Sequence, residues 1–576
     1  MKRKTTVALC AIVKNEERFL PKCLASVQGA VDELVIVDTG STDRTVEIAQ
    51  SFGATVYHHP WQDSFSEARN FALERVQSAW VLVLDADEEL ERRDISVLRR
   101  VVRTEQVTCF FLPVLNQMPD RTFSQLYSRR LFRRGMAHYE GIVHNQLVVQ
   151  GPSAPAPIRI YHYGYNLSPE EMAAKQARSE RLLLRQIVEQ PDDPFPRFNL
   201  ARIYRNQGRW QEAIEVAQEG LRLCGTGAKT STYYMLLFDL AYCFMMVDRL
   251  SEAEALCVQG LTEYPKNLDL RFTLGTIYAR QNRFQEAMTE YRRFLETLAR
   301  SKADPAYNFS TLIVDSWSFE NRAWHNIGQC LVSMGRFAEA EELYAGLLKT
   351  QKDQLFFKGL AHCKLVQKDF KGASQVLEEA VAAGVQDAFL YFQLGEVWRE
   401  LGDPAVAMDY FSRAVCLAPD NVDIMNGYGH ALLCNGQYDQ AIEVLEKARS
   451  QAPKHVGVQV GLLRALLAAG RRKEAGAVLE RLKGAHIDAA ETNRELGDAC
   501  VRVGFYEDAI YFYERALKLG APQVQLLSNI ATCYARLGHE EAALLGYKAA
   551  LELQPDYEVA RRNLAILKRE MANTVS

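Results

Sequence analysis

The feature that most constrains the fold is a repeat of about 34 residues that begins near residue 193 of the 576-residue chain. An alanine marks each unit, and the last six of these alanines lie 34 residues apart. Ten alanines mark the units: Ala213, Ala253, Ala287, Ala340, Ala373, Ala407, Ala441, Ala475, Ala509 and Ala543. A glycine or an alanine stands twelve residues before nine of these ten alanines, and Leu463 is the exception. Because small side chains let antiparallel helices cross closely, the pattern predicts stacked helix pairs.

This period and its small-residue marks resemble the tetratricopeptide repeat (TPR). We expect about ten repeats over residues 193–572, with an irregular insertion at 300–321 and a capping helix at Tyr557–Lys568. The resemblance implies a superhelix whose concave groove holds a protein or peptide. A spacer or a dimerisation device is the alternative, because a fold does not fix a function, and a homodimer is compatible with the array.

Residues 1–168 follow a different pattern, in which apolar strands alternate with helical segments. The strands are TVALCAIV, ELVIVD, ATVYHH and WVLVLD, and helices are expected near Phe19–Val27, Thr45–Phe52 and Ser66–Val76. This order predicts an α/β domain with a mostly parallel sheet covered on both faces. A connecting helix at 169–192 would join it to the all-α superhelical solenoid.

Polar residues follow three of the predicted strands. Asn15 and Glu16 follow the first strand, Asp38 ends the second, and Asp85 and Asp87 end the fourth within WVLVLDADEEL. Ligands of such sheets bind at the carboxyl ends of the strands, so these groups are expected to share one crevice. Two carboxylates one residue apart offer oxygens to Mn²⁺ or Mg²⁺, with substrate phosphates as further ligands. An exposed acidic surface run is the alternative.

Composition excludes several classes of function. A net charge of −4 gives no electrostatic reason to expect nucleic acid as a partner, and no apolar run is long enough to span a membrane. The GxGxxG and GxxxxGK[ST] motifs are absent, which disfavours hydride transfer and nucleotide hydrolysis. The twelve scattered cysteines favour a reducing, cytoplasmic location. The N-terminal apolar run is interpreted as a first strand and not as a signal peptide, because charged residues follow it.

The segments KNEE, VDTGSTDRT, WQDSFSEARNFAL and LDADEEL, in this order, resemble a family 2 glycosyltransferase of the GT-A fold. The resemblance implies inverting transfer from a nucleotide-sugar donor, most often UDP-linked, with a divalent metal. It places Asn15 and Glu16 near the nucleotide and Asp38 at the base or ribose. It places Asp85 at the ribose or sugar, and Asp87 at the metal.

The same resemblance suggests roles for four further residues. Arg69 and Asn70 match a motif near the donor; the alternative for them is a helix cap and a salt bridge to the acidic cluster. His144 and His162 match histidines near the active site and are candidate ligands of the metal or diphosphate. For His162, a hydrogen-bonded structural histidine at the domain junction is the alternative.

The catalytic base is less clearly marked. Related sequences carry a glutamate directly after the first of these histidines, whereas this chain has Asn145, which cannot act as a base. Glu140 is the nearest carboxylate and the preferred candidate, with a structural hydrogen bond as its alternative role. Asp63 and Glu67 are weaker candidates. A thiol acceptor would need little help from a base.

Three functions remain open at this point. The first is transfer of a sugar to a protein or peptide that the repeat array recognises, since the short α/β domain leaves little room for an acceptor lobe. The second is transfer to a glycan or lipid-linked saccharide of the cell surface. The third is a TPR scaffold whose α/β domain binds a nucleotide without turnover.

Overall fold

The structure is a computed structural model that describes residues 5–62, 64–118, 122–141, 146–164, 169–225, 230–304, 306–485 and 487–574. The chain divides into two compact units, Met1–Gly346 and Leu347–Ser576. The first unit contains an α/β domain together with the first repeats. In its described residues the second unit contains helices and their connecting turns, and no strand.

The α/β domain is built on strands and four short helices. The strands are β1 (Val7–Val13), β2 (Glu33–Asp38), β3 (Thr55–His58), β4 (Trp80–Val83), β5 (Glu88–Leu90), β6 (Cys109–Gln117), β7 (Phe123–Arg133), β8 (Ala137–Glu140), β9 (Gln146–Val149), β10 (Ser153–Pro155) and β11 (Ile160–His162). The helices are α1 (Leu20–Ser26), α2 (Thr45–Ser51), α3 (Phe65–Leu73) and α4 (Ile95–Val101), with a 3₁₀ turn at Arg92–Asp94.

Nine of these strands form one sheet in the order β3-β2-β1-β4-β7-β6-β11-β5, with β10 paired to β6. Strands β5 and β7 run opposite to the others, and β8 and β9 form a separate antiparallel pair. Strands β1 and β4 are central and almost fully buried, as their continuous apolar sequences require. The prediction of a mostly parallel sheet is confirmed.

Both faces of the sheet are covered. Alternate residues of β1, such as Leu9, pack in a core with α1, α2 and α4, while their neighbours, such as Cys10, pack in a second core that includes Ala72 of α3. Successive side chains of a strand point to opposite faces, so one apolar run can supply both cores.

The remaining helices begin with α5 (Pro169–Glu189), the connecting helix. Ten helix pairs follow: α6 (Pro194–Asn206) and α7 (Trp210–Cys224); α8 (Ser231–Met246) and α9 (Leu250–Glu263); α10 (Leu268–Arg280) and α11 (Phe284–Ala303); α12 (Glu320–Ser333) and α13 (Phe337–Thr350); α14 (Gln354–Val366) and α15 (Phe370–Ala382); α16 (Ala388–Glu400) and α17 (Pro404–Leu417); α18 (Val422–Cys434) and α19 (Tyr438–Gln451); α20 (Val456–Ala468) and α21 (Arg472–Lys483); α22 (Ala490–Val503) and α23 (Tyr506–Lys518); α24 (Gln523–Arg536) and α25 (Glu540–Leu553). A last helix, α26 (Glu558–Thr574), packs on α25. The prediction of TPR-like helix pairs is therefore confirmed.

The repeat pattern has a simple packing explanation. Each marker alanine lies on the second helix of its pair and is at most 1% exposed. In several repeats a bulky residue four positions later covers the small residue on the first helix: the ring of Phe411 lies over Gly395, and the ring of Tyr513 lies over Gly497. A β-carbon at Gly497 would come within 2.5 Å of Tyr513 carbons. Thus the glycine and the ring are complementary parts of one contact.

The irregular stretch between α11 and α12 is shorter than the expected 300–321, because α11 continues to Ala303. We call its described part, residues 306–319, the strap. Val314 of the strap forms a β-bridge with Gln125 of β7, and Ser318 exchanges two hydrogen bonds with the backbone of Phe123. The strap therefore joins the sheet to the repeats, a role that the sequence did not predict.

On its other side the strap is fixed to the first three repeats. Asp269 of α10 accepts hydrogen bonds from the backbone of Asp315 and Ser316 at 3.0 and 2.7 Å. Arg202 and Arg205 of α6 bind the Asp315 carboxylate at 2.6 and 2.8 Å. The two arginines outweigh the effect of burial and hold the pKa of Asp315 at about 2, below its usual range.

Within the described residues, no helix is both long enough and apolar enough to cross a membrane.

The complementary packing of glycine and ring can be tested at Gly497. We expect Gly497→Ala to lower the free energy of unfolding by about 1–3 kcal/mol, because the new methyl group overpacks against Tyr513. Gly476→Ala on α21 is the matched control, since a β-carbon there meets nothing within 4 Å. It should raise stability by up to about 1 kcal/mol through helix propensity. Urea denaturation followed by circular dichroism measures both, and equal effects would contradict this packing explanation.

Candidate functional site

The candidate site lies at one edge of the sheet. Strands β1, β2, β4, β6 and β11 run in the same direction, so their carboxyl ends meet at this edge. The polar residues that follow them are consequently brought together, as expected for ligand sites of such sheets.

Arginines balance the carboxylates that follow β4. Arg69 of α3 donates to Asp85 at 2.5 Å, and Arg130 of β7 donates to Glu88 at 2.6 Å. Arg130 also lies 3.5 Å from Asp85, which makes one connected cluster of two cations and two anions. Glu88 is 1% exposed and accepts a further hydrogen bond from the Asp85 backbone. The acidic run is therefore part of a buried network and not a solvated surface.

The two acids of this cluster respond differently to their surroundings. Burial opposes ionisation of Asp85, but Arg69 and Arg130 outweigh it and hold the pKa of this carboxyl well below its ordinary value. For Glu88, burial prevails over Arg130 and raises the pKa to about 7. Asp85 is therefore ionised and fixed by Arg69, which agrees with the salt-bridge alternative for that arginine.

Asp87 faces a histidine held in one tautomer. His162 Nε2 lies 3.3 Å from Asp87 Oδ2, and its Nδ1 lies 2.8 Å from Asn116 Oδ1. Asn116 donates its amide to Ser124, so the oxygen of Asn116 faces the imidazole and Nδ1 is the donor. In the neutral form, Nε2 then presents its lone pair towards the Asp87 carboxylate.

Gly164 leaves room for this pair. A β-carbon at this position would overlap Asp87 Oδ2 and lie 2.6 Å from His162 Nε2. No larger residue fits there without displacing these two side chains. Space between a carboxylate oxygen and an imidazole nitrogen suits a divalent cation.

The donor set agrees with Mn²⁺ or Mg²⁺ bound jointly with a substrate. Among the described residues no group of three His, Cys, Asp or Glu side chains forms a ready metal site. Asp87 and His162 would supply two protein ligands to such an ion, and Mg²⁺ sites are commonly completed by water and substrate phosphates. The predicted ligand His144 lies outside the described residues, as do Asn145 and Asp63.

A second group of residues shapes the ends of β1 and β2. Asp38 is 4% exposed and accepts hydrogen bonds from the backbone of Gly40 and Ser41. Asn15 has a left-handed backbone, with φ of 57°, and accepts from the backbone of Thr42 at 2.8 Å. These bonds make a rigid turn, and His58 adds a further contact to Asp38 at 3.3 Å.

Glu16 connects this turn to the acidic cluster. Its burial, together with the negative charge of Asp87, raises its pKa to about 7. Lys175 of α5 opposes that shift and donates to the Gly164 carbonyl at 3.1 Å. The connecting helix thus places a cation beside the candidate site.

The last two predicted residues lie near β8. The Asn70 amide makes two hydrogen bonds with the Tyr139 backbone, at 2.8 and 2.9 Å, and so anchors β8 to α3. Glu140 ends β8; its side chain is 64% exposed and lies 2.8 Å from His138. The weaker candidate Glu67 contacts His59 at 3.4 Å.

Five residues of the site were not predicted from the sequence: Glu88, Asn116, Arg130, Gly164 and Lys175. Glu88 was within the acidic run, but its surroundings depend on Arg130 of β7 and on the pairing of β5 with β11, both more than 40 residues away. Arg130 and Asn116 belong to strands beyond the four that the apolar pattern marked. Polar residues at the carboxyl end of β6 are the signal that could have identified Asn116.

Comparison with known proteins agrees with this architecture. Residues 9–149 match the sequence model of the family described as Glycosyl transferase family 2. Tetratricopeptide repeat models match 194–226, 268–297, 322–354, 359–422, 399–446, 432–491 and 524–557. The resemblance inferred from the motifs is confirmed: a family 2 glycosyl transferase domain precedes tetratricopeptide repeats.

Three relatives carry names that refer to tetratricopeptide repeats or to glycosyl transfer. A TPR repeat-containing protein of Synechococcus elongatus is 33% identical over 247 residues, which are 41% of this chain and 60% of the relative. The SPbeta prophage-derived glycosyltransferase SunS of Bacillus subtilis is 25% identical over 308 residues, 50% of this chain and 72% of that protein. The lipopolysaccharide core biosynthesis glycosyltransferase LpsC of Rhizobium meliloti is 26% identical over 229 residues, 36% of this chain and 84% of LpsC.

The arginine cluster makes a prediction about stability. Arg130→Met should lower the free energy of unfolding by about 3–5 kcal/mol, because it removes the cation that contacts both Asp85 and Glu88 inside the buried cluster. Adding Glu88→Gln should restore most of the loss, since the amide is already neutral whereas Glu88 would have to take up a proton to stay buried without a cation. Arg44→Met, at an exposed pair with Glu17, should cost no more than about 1 kcal/mol. Urea denaturation monitored by tryptophan fluorescence compares the variants, and a double variant no more stable than Arg130→Met would refute this explanation.

Proposed function

We propose that this chain is an inverting, metal-dependent glycosyltransferase that transfers a sugar from a nucleotide donor, with UDP as the first candidate, to a protein or peptide. The observation that carries the proposal is the Asp87–His162 pair at the sheet edge, within a domain that matches family 2 glycosyl transferases. The chain spans 60% of the length of the Synechococcus relative, so the activity of the whole protein belongs to this proposal.

In this proposal the nucleotide lies over the ends of β1 and β2. Asn15 and Asp38 would face the base and ribose, and their fixed turn would orient the nucleoside. Glu16 and Asp85 would lie towards the ribose and sugar, with Arg69 keeping Asp85 ionised. Asn70 would act by holding β8 in place for the donor.

Asp87 and His162 would hold the divalent cation, with His144 as a further candidate ligand. When bound, the cation would stabilise the negative charge of the departing diphosphate. His162 can ligate only in the neutral form, and Asn116 keeps its Nδ1 protonated and its Nε2 directed at Asp87. Lys175 lies close enough to Glu16 to affect its charge and would add a positive charge near the diphosphate.

Inverting transfer also requires a base to take the proton of the acceptor. We propose Glu140 for this role, because it is exposed at the end of β8 and its neighbour Tyr139 is fixed by Asn70. His138 Nε2 lies 2.8 Å from the Glu140 carboxylate. A glutamate carboxylate can accept a proton from a hydroxyl or thiol of the acceptor.

The acceptor and the location complete the proposal. A protein or peptide acceptor is supported by the repeat array, and a cytoplasmic setting is supported by twelve cysteines that are all free thiols. A glycan acceptor is the second candidate, because LpsC is named for lipopolysaccharide core biosynthesis.

The metal role can be tested with donor hydrolysis. Asp87→Asn should reduce hydrolysis of the preferred donor by about 10²-fold or more, because the amide is a weaker ligand than a carboxylate. Purified protein is incubated with UDP- and GDP-sugars in Mn²⁺, Mg²⁺ or EDTA, and free nucleotide is measured. Asp248→Asn, at an exposed left-handed turn, is the matched control and should be unaffected. Turnover that resists both EDTA and Asp87→Asn would rule out the metal role.

The proposed base is tested by separating nucleotide binding from sugar transfer. Glu140→Gln should reduce sugar transfer by about 10²–10⁴-fold while donor affinity stays near that of the wild type, because only deprotonation of the acceptor is lost. Transfer of radiolabelled sugar to mixed peptides and binding of UDP are measured in parallel. Glu74→Gln, another exposed ion-paired glutamate, is the control. Wild-type transfer by Glu140→Gln would assign the base elsewhere.

A further inference from the structure

We propose that a cavity between the end of the β6–β7 hairpin and the first three repeats binds an extended segment of the acceptor polypeptide that carries an apolar side chain. This inference rests on the proposed function and adds to it a location and a side-chain preference. We call the cavity the acceptor chamber. It has a volume of about 650 Å³, and its lining includes Met118, Thr122, Asn206, Tyr242, Thr276 and Phe319.

A short series of contacts connects the acceptor chamber to the candidate site at Asp87 and His162. Ser124 lines the chamber and accepts a hydrogen bond from Asn116. Asn116 in turn holds His162, which faces Asp87. The hairpin also leaves the sheet at the edge where the acidic cluster lies, because β6 runs parallel to β4. A polypeptide in the chamber would therefore have neighbouring residues next to the reacting sugar.

The chain's own strap forms one wall of the chamber. Phe319 and Asp315 line it, and Asp315 is tied to Arg202 and Arg205. The strap thus occupies part of the surface of α6 and α10 that a partner could otherwise contact. What remains is a half-open cavity of the size that small ligands fill, which suits one or two side chains and their backbone and not a folded domain.

The chemistry of the lining favours an apolar group. The rings of Phe238, Tyr242 and Phe272 face the space, and Arg205 stacks on the first two at 5.2 and 5.6 Å. The charge of Arg205 is matched by Asp239 and Asp315. The aromatic rings of the lining provide apolar surface on which an aliphatic or aromatic side chain can pack.

The same lining is poorly suited to a saccharide. Asp269 already accepts three hydrogen bonds from strap residues, and Asp315 accepts from two arginines. These carboxylates therefore have little capacity left for sugar hydroxyl groups. Thr273 and Asn206 offer hydroxyl and amide groups, which suit the amides of a polypeptide backbone. The Thr276 hydroxyl, in contrast, already contacts the Phe272 carbonyl and the Tyr291 hydroxyl.

The experiment fills the chamber in the full-length protein. Thr276→Trp and Asn206→Trp each add a ring to the lining of the chamber. Thr262→Trp, at an exposed position of α9, is the matched control. With Mn²⁺ and the donor that the wild type hydrolyses, radiolabelled transfer to synthetic peptides of mixed sequence containing Ser, Thr or Cys is measured. Donor hydrolysis and melting temperature are measured on the same samples.

We expect both chamber variants to lose about tenfold or more of peptide transfer while hydrolysis, melting temperature and the control stay near wild type. Sequencing of the labelled peptides should show enrichment of aliphatic or aromatic residues near the modified position. Undiminished transfer by both variants would overturn the chamber while leaving the transferase proposal intact. Labelling only of an oligosaccharide that is added beside the peptides would overturn the chamber and the peptide acceptor, but not sugar transfer itself. A wild type that neither hydrolyses nor transfers would overturn both.

Discussion

The site depends on charge balance at the end of β4. A buried strand that runs into several carboxylates is stable only if cations approach from other elements, and Arg69 and Arg130 do so from α3 and β7. Once Asp85 and Glu88 are neutralised in this way, Asp87 is left to face His162. Asp85 and Glu88 thus stabilise the structure, and Asp87 is the acid of this cluster that can bind a ligand. Three elements distant in sequence must be in place before the site exists.

The strap extends this dependence to the repeats. It pairs with β7, the strand that carries Arg130, and it is held by Arg202, Arg205 and Asp269. The sheet and the first repeats therefore form one compact unit, in which side chains and backbone of both parts contact the strap. This arrangement agrees with a catalytic domain whose acceptor is presented by the repeats next to it.

The sequence predicted the fold well because its signals are local. The 34-residue period, the small residues and the apolar strands each follow from helix or strand geometry, and the structure contains ten helix pairs and a mostly parallel sheet. The partners of the acids were harder to predict, because Arg130 and Asn116 reach the site only through strand pairing. The strap was expected only as an irregular insertion. Its contacts are between elements, and no periodicity marks them.

The β-bridge between Gln125 and Val314 also affects how the chain folds during its synthesis. The two residues are 189 positions apart, so at 5–20 residues per second the ribosome takes about 10–40 s to supply the partner of β7. During that interval the backbone of β7 at Gln125 lacks its strap partner. Newly synthesised chains would therefore pass through a stage in which this strand edge is open to chaperones or to neighbouring chains. The order of synthesis thus delays the contact between β7 and the strap until the third repeat has been made.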